Sequence, residues 1–439
     1  MGDGAAAVDV TSAAEPRRLP RRLGASAATS LVIASMIGAG VFTTTGKLLV
    51  FLPSPLAVLA CWALGGVAAL CGALVYAELG SALPENGGEY HYLSRLYHPA
   101  VGFVAAWASL VVGFAAPLAA RALAFGTYLR AFVPGVDPRV AALAVVLVLS
   151  AVNMWRVAAG ADVQVGFTAL KILFVLGLAG VGLWFGDASR LHAAPPSGTA
   201  TTTSGVALGV LWVSFAYTGW GASSYVAGEV HAPARSLPRS LLIGTALVTL
   251  VYVTLNAAFL ALAPTHVLAD RLDVADAAFS YRFGALGGKA VSLAVLLGLV
   301  PTIGALIVTG PRIYEAVGRD LPRLRWLAQR GDRGGPLRAT VLQSGLAIVM
   351  LAWAGFDALL TYIGFTLSLV SALAVAGVFV VRRRGLPASF RTPGYPITPA
   401  LYVALAVVSA GSGLVELPLS GLFGLATLAL GLGLYRIAR

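Results

Sequence analysis

The sequence is short of charge. Only 11% of its 439 residues are Asp, Glu, Lys or Arg, against 58% that are hydrophobic, whereas a soluble domain carries roughly 25% charged residues. That scarcity excludes a water-soluble fold of ordinary composition. Cysteine is scarcer still. Cys61 and Cys71 are the only two, and on one expected helix their spacing puts them about 15 Å apart, beyond disulfide reach. Both read as small apolar residues, and a disulfide framework is excluded. The five histidines (91, 98, 192, 231 and 266) fall in loops or at helix ends, without HExxH or Cys–His spacing. No metal site and no cofactor are expected. Alternating runs of about ten residues, the mark of a membrane β-strand, are missing as well.

What the sequence has in quantity is long apolar runs. A bilayer core about 30 Å thick takes about 20 apolar residues per helix. Twelve spans are expected, at 26–49, 55–82, 100–132, 138–155, 162–185, 205–228, 238–263, 289–317, 340–356, 358–381, 398–416 and 419–437. The chain reads as an all-α polytopic membrane protein whose surroundings are the lipid bilayer. Its formal charge of +12 is explained by sorting: 21 of the 30 basic residues fall in segments on the side of the N-terminus and seven on the other. The positive-inside rule then makes both termini cytoplasmic, in the cell membrane. Charge sorted in this way gives no reason to expect nucleic acid. Residues 1–23 read as a disordered cytoplasmic tail with a basic anchor, not a signal peptide. The loop at 83–100 is amphipathic and predicts an interfacial helix on the cytoplasmic face, with an outer counterpart at 265–284.

Two spans are written to break. "IGAG" places Gly38 and Gly40 at the centre of the first, and "FAYTGWGAS" places Gly219 and Gly221 at the centre of the sixth. Each interior glycine costs a helix about 1 kcal/mol relative to alanine. Glycine pairs also let helices pack closely. Interrupted spans at corresponding positions of two halves, however, point to an inverted-repeat transporter with a midplane site. The first break offers amide N–H groups to a carboxylate, and the second offers carbonyls to an ammonium. Together they match the two ends of an α-amino acid.

"SMIGAGVF", "PENGGEYHYL", "SFAYTGWGASSYVAGEVHAPARSLPRSL" and "TGPRIYEAVGRD" resemble motifs of the amino acid–polyamine–organocation superfamily, and the likeness covers nearly all of 24–437. The resemblance implies a leucine-transporter-like fold in a single transmembrane domain over 24–437. Twelve transmembrane helices would form a 5+5 inverted repeat, about 26–185 and 205–381, plus two at about 398–437. It implies alternating access, with Ile37, Gly38, Ala39 and Gly40 binding the substrate carboxylate. Phe215, Ala216, Thr218 and Gly219 would form the second substrate-binding segment, with carbonyls near Phe215, Ala216 and Thr218 holding the ammonium and Phe215 as an outer gate. Many relatives carry Ser where Ala39 stands, which removes a side-chain hydroxyl here.

Two cations lie inside spans. Lys171 should face the bundle, and it coincides with a lysine that takes the place of a sodium ion in some relatives. Its role is coupling, or structural support of the freed carbonyls. Arg121 either lines the substrate path, biasing it toward acidic side chains, or snorkels outward. Glu78 and Glu229 read as structural or inner-gate groups. The spans offer no nucleophile–base set, so an enzyme is not expected, and no ring of polar groups suggests a channel. The expected function is a sodium-independent α-amino acid permease, by proton symport or by exchange. The alternative is an amine or polyamine transporter of the same fold. No outer cysteine suggests a required heavy-chain partner.

Overall fold

A computed structural model describes residues 23–155, 161–193, 201–320, 322–329 and 336–438. The tail expected at 1–23 lies outside the described residues except for Leu23. Among the described residues, regular structure is helical apart from one isolated bridge, Leu23 to Val230.

The first crossing is divided into α1 (Ala25–Met36) and α2 (Gly40–Leu48), and α3 (Pro55–Ala82) returns. After the short α4 (Glu89–Leu96), α5 (Pro99–Ala108) continues through a π-helical turn (Ser109–Ala115) into α6 (Ala116–Leu129). Next come α7 (Pro138–Trp155), α8 (Ala161–Phe185) and α9 (Thr203–Tyr217), the last leading into a 3-10 segment at Ala222–Glu229. α10 (Pro233–Leu262), α11 (Thr265–Leu268) and α12 (Val274–Asp320) follow. The chain closes with α13 (Leu337–Trp353), α14 (Phe356–Arg383), α15 (Ile397–Glu416) and α16 (Pro418–Ala438).

Among the described residues, nine helical stretches are long and apolar enough to cross a membrane. Shorter apolar helices at Pro138–Met154, Ala169–Phe185 and Leu337–Trp353 fall on the remaining expected spans. Outward-facing Trp184 and Trp353, 83% and 87% exposed, end α8 and α13. Tryptophan is enriched at a membrane–water interface.

Local signals explain several ends. Ser54 caps α3 by accepting from the Ala57 amide, with Pro55 in the first turn, and Thr202 caps α9 through the Gly205 amide. Both satisfy donors that a helix N-terminus leaves open. Some boundaries differ from expectation. The third crossing stops at Leu129, three residues short of 132, and the eighth expected span is the distal part of the longer α12, bent at Gly284 (φ 73°).

α4 also departs from expectation. Its apolar face is not turned to lipid, because Tyr92, Leu93 and Leu96 are buried against the bundle, chiefly α5 and α14. The buried Glu89 carboxylate accepts from Tyr76 (2.6 Å) and Ser371 (3.0 Å), pinning α4 to α3 and α14. Amphipathic periodicity records an apolar face without saying whether lipid or protein covers it.

The two ends of the bundle have separate fastenings. At one, Glu78 holds Arg382 through two 2.9 Å bonds, and Asn86 reaches Glu229 (3.3 Å) and the Gly228 amide (2.7 Å). At the other, Lys47 bridges Asp270 (2.6 Å) and Asp357 (3.4 Å). Segments expected on the same side of the bilayer thus meet at the same end.

Candidate functional site

α1 stops where Ile37 turns extended (φ −69°, ψ 100°), and the helix resumes at Gly40. Across from it, α9 stops at Tyr217, Thr218 leaves helical geometry (ψ 139°) and Gly219 takes φ +102°. An L-residue with a side chain rarely adopts that conformation.

The two breaks touch. A Cβ on Gly40 would lie 2.6 Å from the Ala216 Cβ and 2.7 Å from its Cα. A Cβ on Gly219 would lie 2.8 Å from the Ser35 carbonyl carbon. Neither position has room for any side chain, so glycine here permits the crossing itself.

Tyr252 of α10 fastens them. Its hydroxyl lies 2.6 Å from the Met36 carbonyl and 3.2 Å from the Ala216 carbonyl, and it accepts from the Gly38 amide. Around it, Trp62 and Tyr217 pack at ring distances of 5.5 and 5.2 Å. Trp62 donates to Thr45 (2.9 Å), Tyr217 donates to the Trp62 carbonyl (2.9 Å), and Thr45 also bonds Asn256. This buried network joins α2, α3, α9 and α10, and such networks fix geometry when fully satisfied. Sequence reading did not single out Tyr252, Trp62 or Thr45. Asn256, a polar residue in an apolar run, was the available signal.

The second break differs from expectation in one respect. Two of its three nominated carbonyls already have internal polar neighbours: Phe215 accepts from the Thr218 amide (3.2 Å) and hydroxyl (2.7 Å), and Ala216 stands 3.2 Å from the Tyr252 hydroxyl, whose proton goes chiefly to Met36. A carbonyl has two lone pairs, so Phe215 has none to spare, whereas Ala216 retains one. The Phe215 ring is buried edge-on to Phe356, with centroids 6.3 Å apart.

A narrow cavity, with room for water but not for an amino acid, opens between the first break, α8 and α12. Ile37, Gly38, Lys171, Phe174, Val295 and Gly298 are among its walls. Lys171 therefore faces the bundle and stands beside the first break.

Arg121 does not snorkel. It is buried, and its guanidinium lies against Gly38, with Nε and Nη2 each 3.1 Å from where a Cβ would stand. The π-helical turn before it was also unforeseen. Within that turn the Leu110 carbonyl accepts from Tyr314 (2.9 Å), and such bulges recur at functional sites. Arg121 and Lys171 are the two span cations that the structure brings to one break.

Comparison with known proteins finds amino acid transporters and exchangers. The serine/threonine exchanger SteT of Bacillus subtilis (strain 168) is 29% identical over 427 residues, covering 94% of this chain and 97% of its own. The human b(0,+)-type amino acid transporter 1 is 28% identical over 400 residues, 89% of this chain and 82% of its own. The human cystine/glutamate transporter is 27% identical over 403 residues, 88% and 79% respectively. The model of the amino acid permease family matches residues 23–420, and the chain, a multi-pass membrane protein and not an enzyme, belongs to that family.

Proposed function

We propose that this permease moves an α-amino acid across the cell membrane by alternating access, without sodium, by exchange or proton symport. The observation that carries the reading is the contact of the two helix breaks at Gly40 and Ala216, with Lys171 beside the first. In this reading the helices form a leucine-transporter-like 5+5 inverted repeat plus α15 and α16, with both termini cytoplasmic. The substrate carboxylate lies over Ile37, Gly38, Ala39 and Gly40 and is taken by the amides at the N-terminus of α2, where the first N–H groups of a helix lack partners within it; the Ile37 and Gly38 amides already donate to Ile33 and Tyr252. Of the carbonyls near Phe215, Ala216 and Thr218, those of Ala216 and Thr218 take the ammonium, because Phe215 already accepts twice from Thr218. Phe215 is the lid.

Lys171 supplies one positive charge and three donors between the first break, α8 and α12, where a sodium ion would otherwise be needed. A second cation there would be repelled, which is why sodium is dispensable. The names of the relatives, exchangers and amino acid transporters, support an amino acid over an amine, and the two cations at the break disfavour a polyamine.

The test is uptake into proteoliposomes with sodium replaced by choline, at two pH values, with and without internal amino acid. Wild type should work equally in choline, and Lys171→Ala should lose at least tenfold. Strict sodium dependence, or full activity in the variant, removes the mechanism. Uptake that needs internal substrate selects exchange, and uptake driven by an inward proton gradient selects symport.

A further inference from the structure

Two cations converge on the first break, and no described carboxylate answers them. Arg121 is 8% exposed, and its guanidinium lies against Gly38. Its Nε has no hydrogen-bond partner among the described residues. A buried charged group left in that condition is expensive, so the position is explained better by a ligand than by packing. Lys171 shares the neighbouring cavity wall with Gly38 and lies within Coulombic range of Arg121. Carboxylates elsewhere have their own partners: Glu78 holds Arg382, Asp357 holds Lys47, and Asp276 accepts from Ser280 and Ser292.

A substrate entering this site meets three positive poles, the two side chains and the N-terminus of α2. A neutral amino acid brings one carboxylate for them and adds an ammonium, leaving the excess positive charge unanswered. A substrate with a second carboxylate answers it. The planar guanidinium fork matches a carboxylate with two parallel bonds, which a lysine does not offer.

We propose that the substrate is an acidic α-amino acid, whose side-chain carboxylate is taken by Arg121, with Lys171 as the flanking cation. The proposal rests on the α-amino acid reading of the site and narrows it. Arg121 is then the specificity-determining residue, while the main-chain groups of the breaks hold the parts common to all amino acids. Because the two cations also repel each other, the dicarboxylate that separates them relieves a strain that a neutral substrate leaves in place.

L-glutamate and L-glutamine are the decisive pair, since they share a shape and differ by a charge. Counterflow of each is measured in liposomes carrying the full chain, alongside L-serine, for wild type and Arg121→Gln. Thermal unfolding of the detergent-purified protein with each compound reports binding independently of turnover. Wild type should prefer glutamate over glutamine at least tenfold in both readouts. In Arg121→Gln that preference should shrink to within about twofold through loss of glutamate, with glutamine retained. Wild-type preference for glutamine or serine overturns the proposal while leaving the permease reading intact, whatever the variant does. A glutamate preference that survives in Arg121→Gln overturns it too. If no amino acid is transported or stabilises the wild type, the α-amino acid reading fails with it.

Discussion

A single hydroxyl holds the two broken helices in register. Tyr252 has one proton to donate, and the 2.6 Å contact assigns it to the Met36 carbonyl, leaving Ala216 the weaker 3.2 Å approach. Tyr252→Phe should lower stability by about 1–3 kcal/mol in thermal unfolding and slow uptake several-fold, with insertion unaffected. Phe215→Ala should weaken substrate binding and slow accumulation, whereas Phe215→Trp should be tolerated; unchanged affinity and turnover in the alanine variant would place the lid elsewhere. Glu89 gives a pH dependence. Burial raises its carboxyl above the ordinary 4.5, against hydrogen bonds from Tyr76, Ser371 and Tyr225 that pull it down. A raised carboxyl means the folded state holds the proton more tightly, so its contribution to stability is present at low pH and lost as pH rises from 4.5 through the raised value. Melting curves across that range should slope downward with pH in wild type and flatten in Glu89→Gln. Sequence alone marked Arg121 as odd but left its direction open, because an apolar helix gives no sign of which face meets lipid. It passed over Tyr252 entirely: a tyrosine in an apolar run looks like core, and its partner Met36 is 216 residues away.

The breaks are the element most legible from sequence, because glycine pairs in mid-span have few other uses. The structure adds a ranking that composition does not contain. At Gly40 a new Cβ meets the Ala216 Cβ at 2.6 Å and its Cα at 2.7 Å; at Gly38 it meets the movable guanidinium of Arg121 at 3.1 Å. Gly40→Val should therefore abolish uptake while the protein still inserts, and Gly40→Ala should be worse than Gly38→Ala. Gly219→Ala carries a double cost, a left-handed backbone worth about 1–2 kcal/mol and a collision with Ser35. Equal activity of the two alanine variants at 38 and 40 would mean that the crossing opens more widely than this structure shows. Other elements were less legible. The π-helical turn at Ser109–Ala115 has no local sequence signature, and the burial of α4 depends on α14, far along the chain.

Across the whole molecule, one helix takes part in both fastenings. α14 begins with Asp357, paired to Lys47, and ends with Arg382, paired to Glu78. Glu78→Gln should cost about 1–3 kcal/mol as a charged bond weakens, seen in thermal unfolding. It should also raise the reactivity of a cysteine introduced at Ser81 toward a membrane-impermeant reagent, while Asp357→Asn leaves that site protected. Equal exposure in both variants would mean that loosening either end opens the same door, and reciprocal closure would fail. At 28 residues, α14 is a rod about 42 Å long, enough to reach from one face of a bilayer to the other. On the alternating-access reading, a stiff beam pinned at both doors tilts as one piece, and no message has to pass between them. An open pore then needs both pins undone together, which the tilt of a single beam works against, since freeing one end presses the other shut. Such a membrane stays sealed by leverage rather than by a plug.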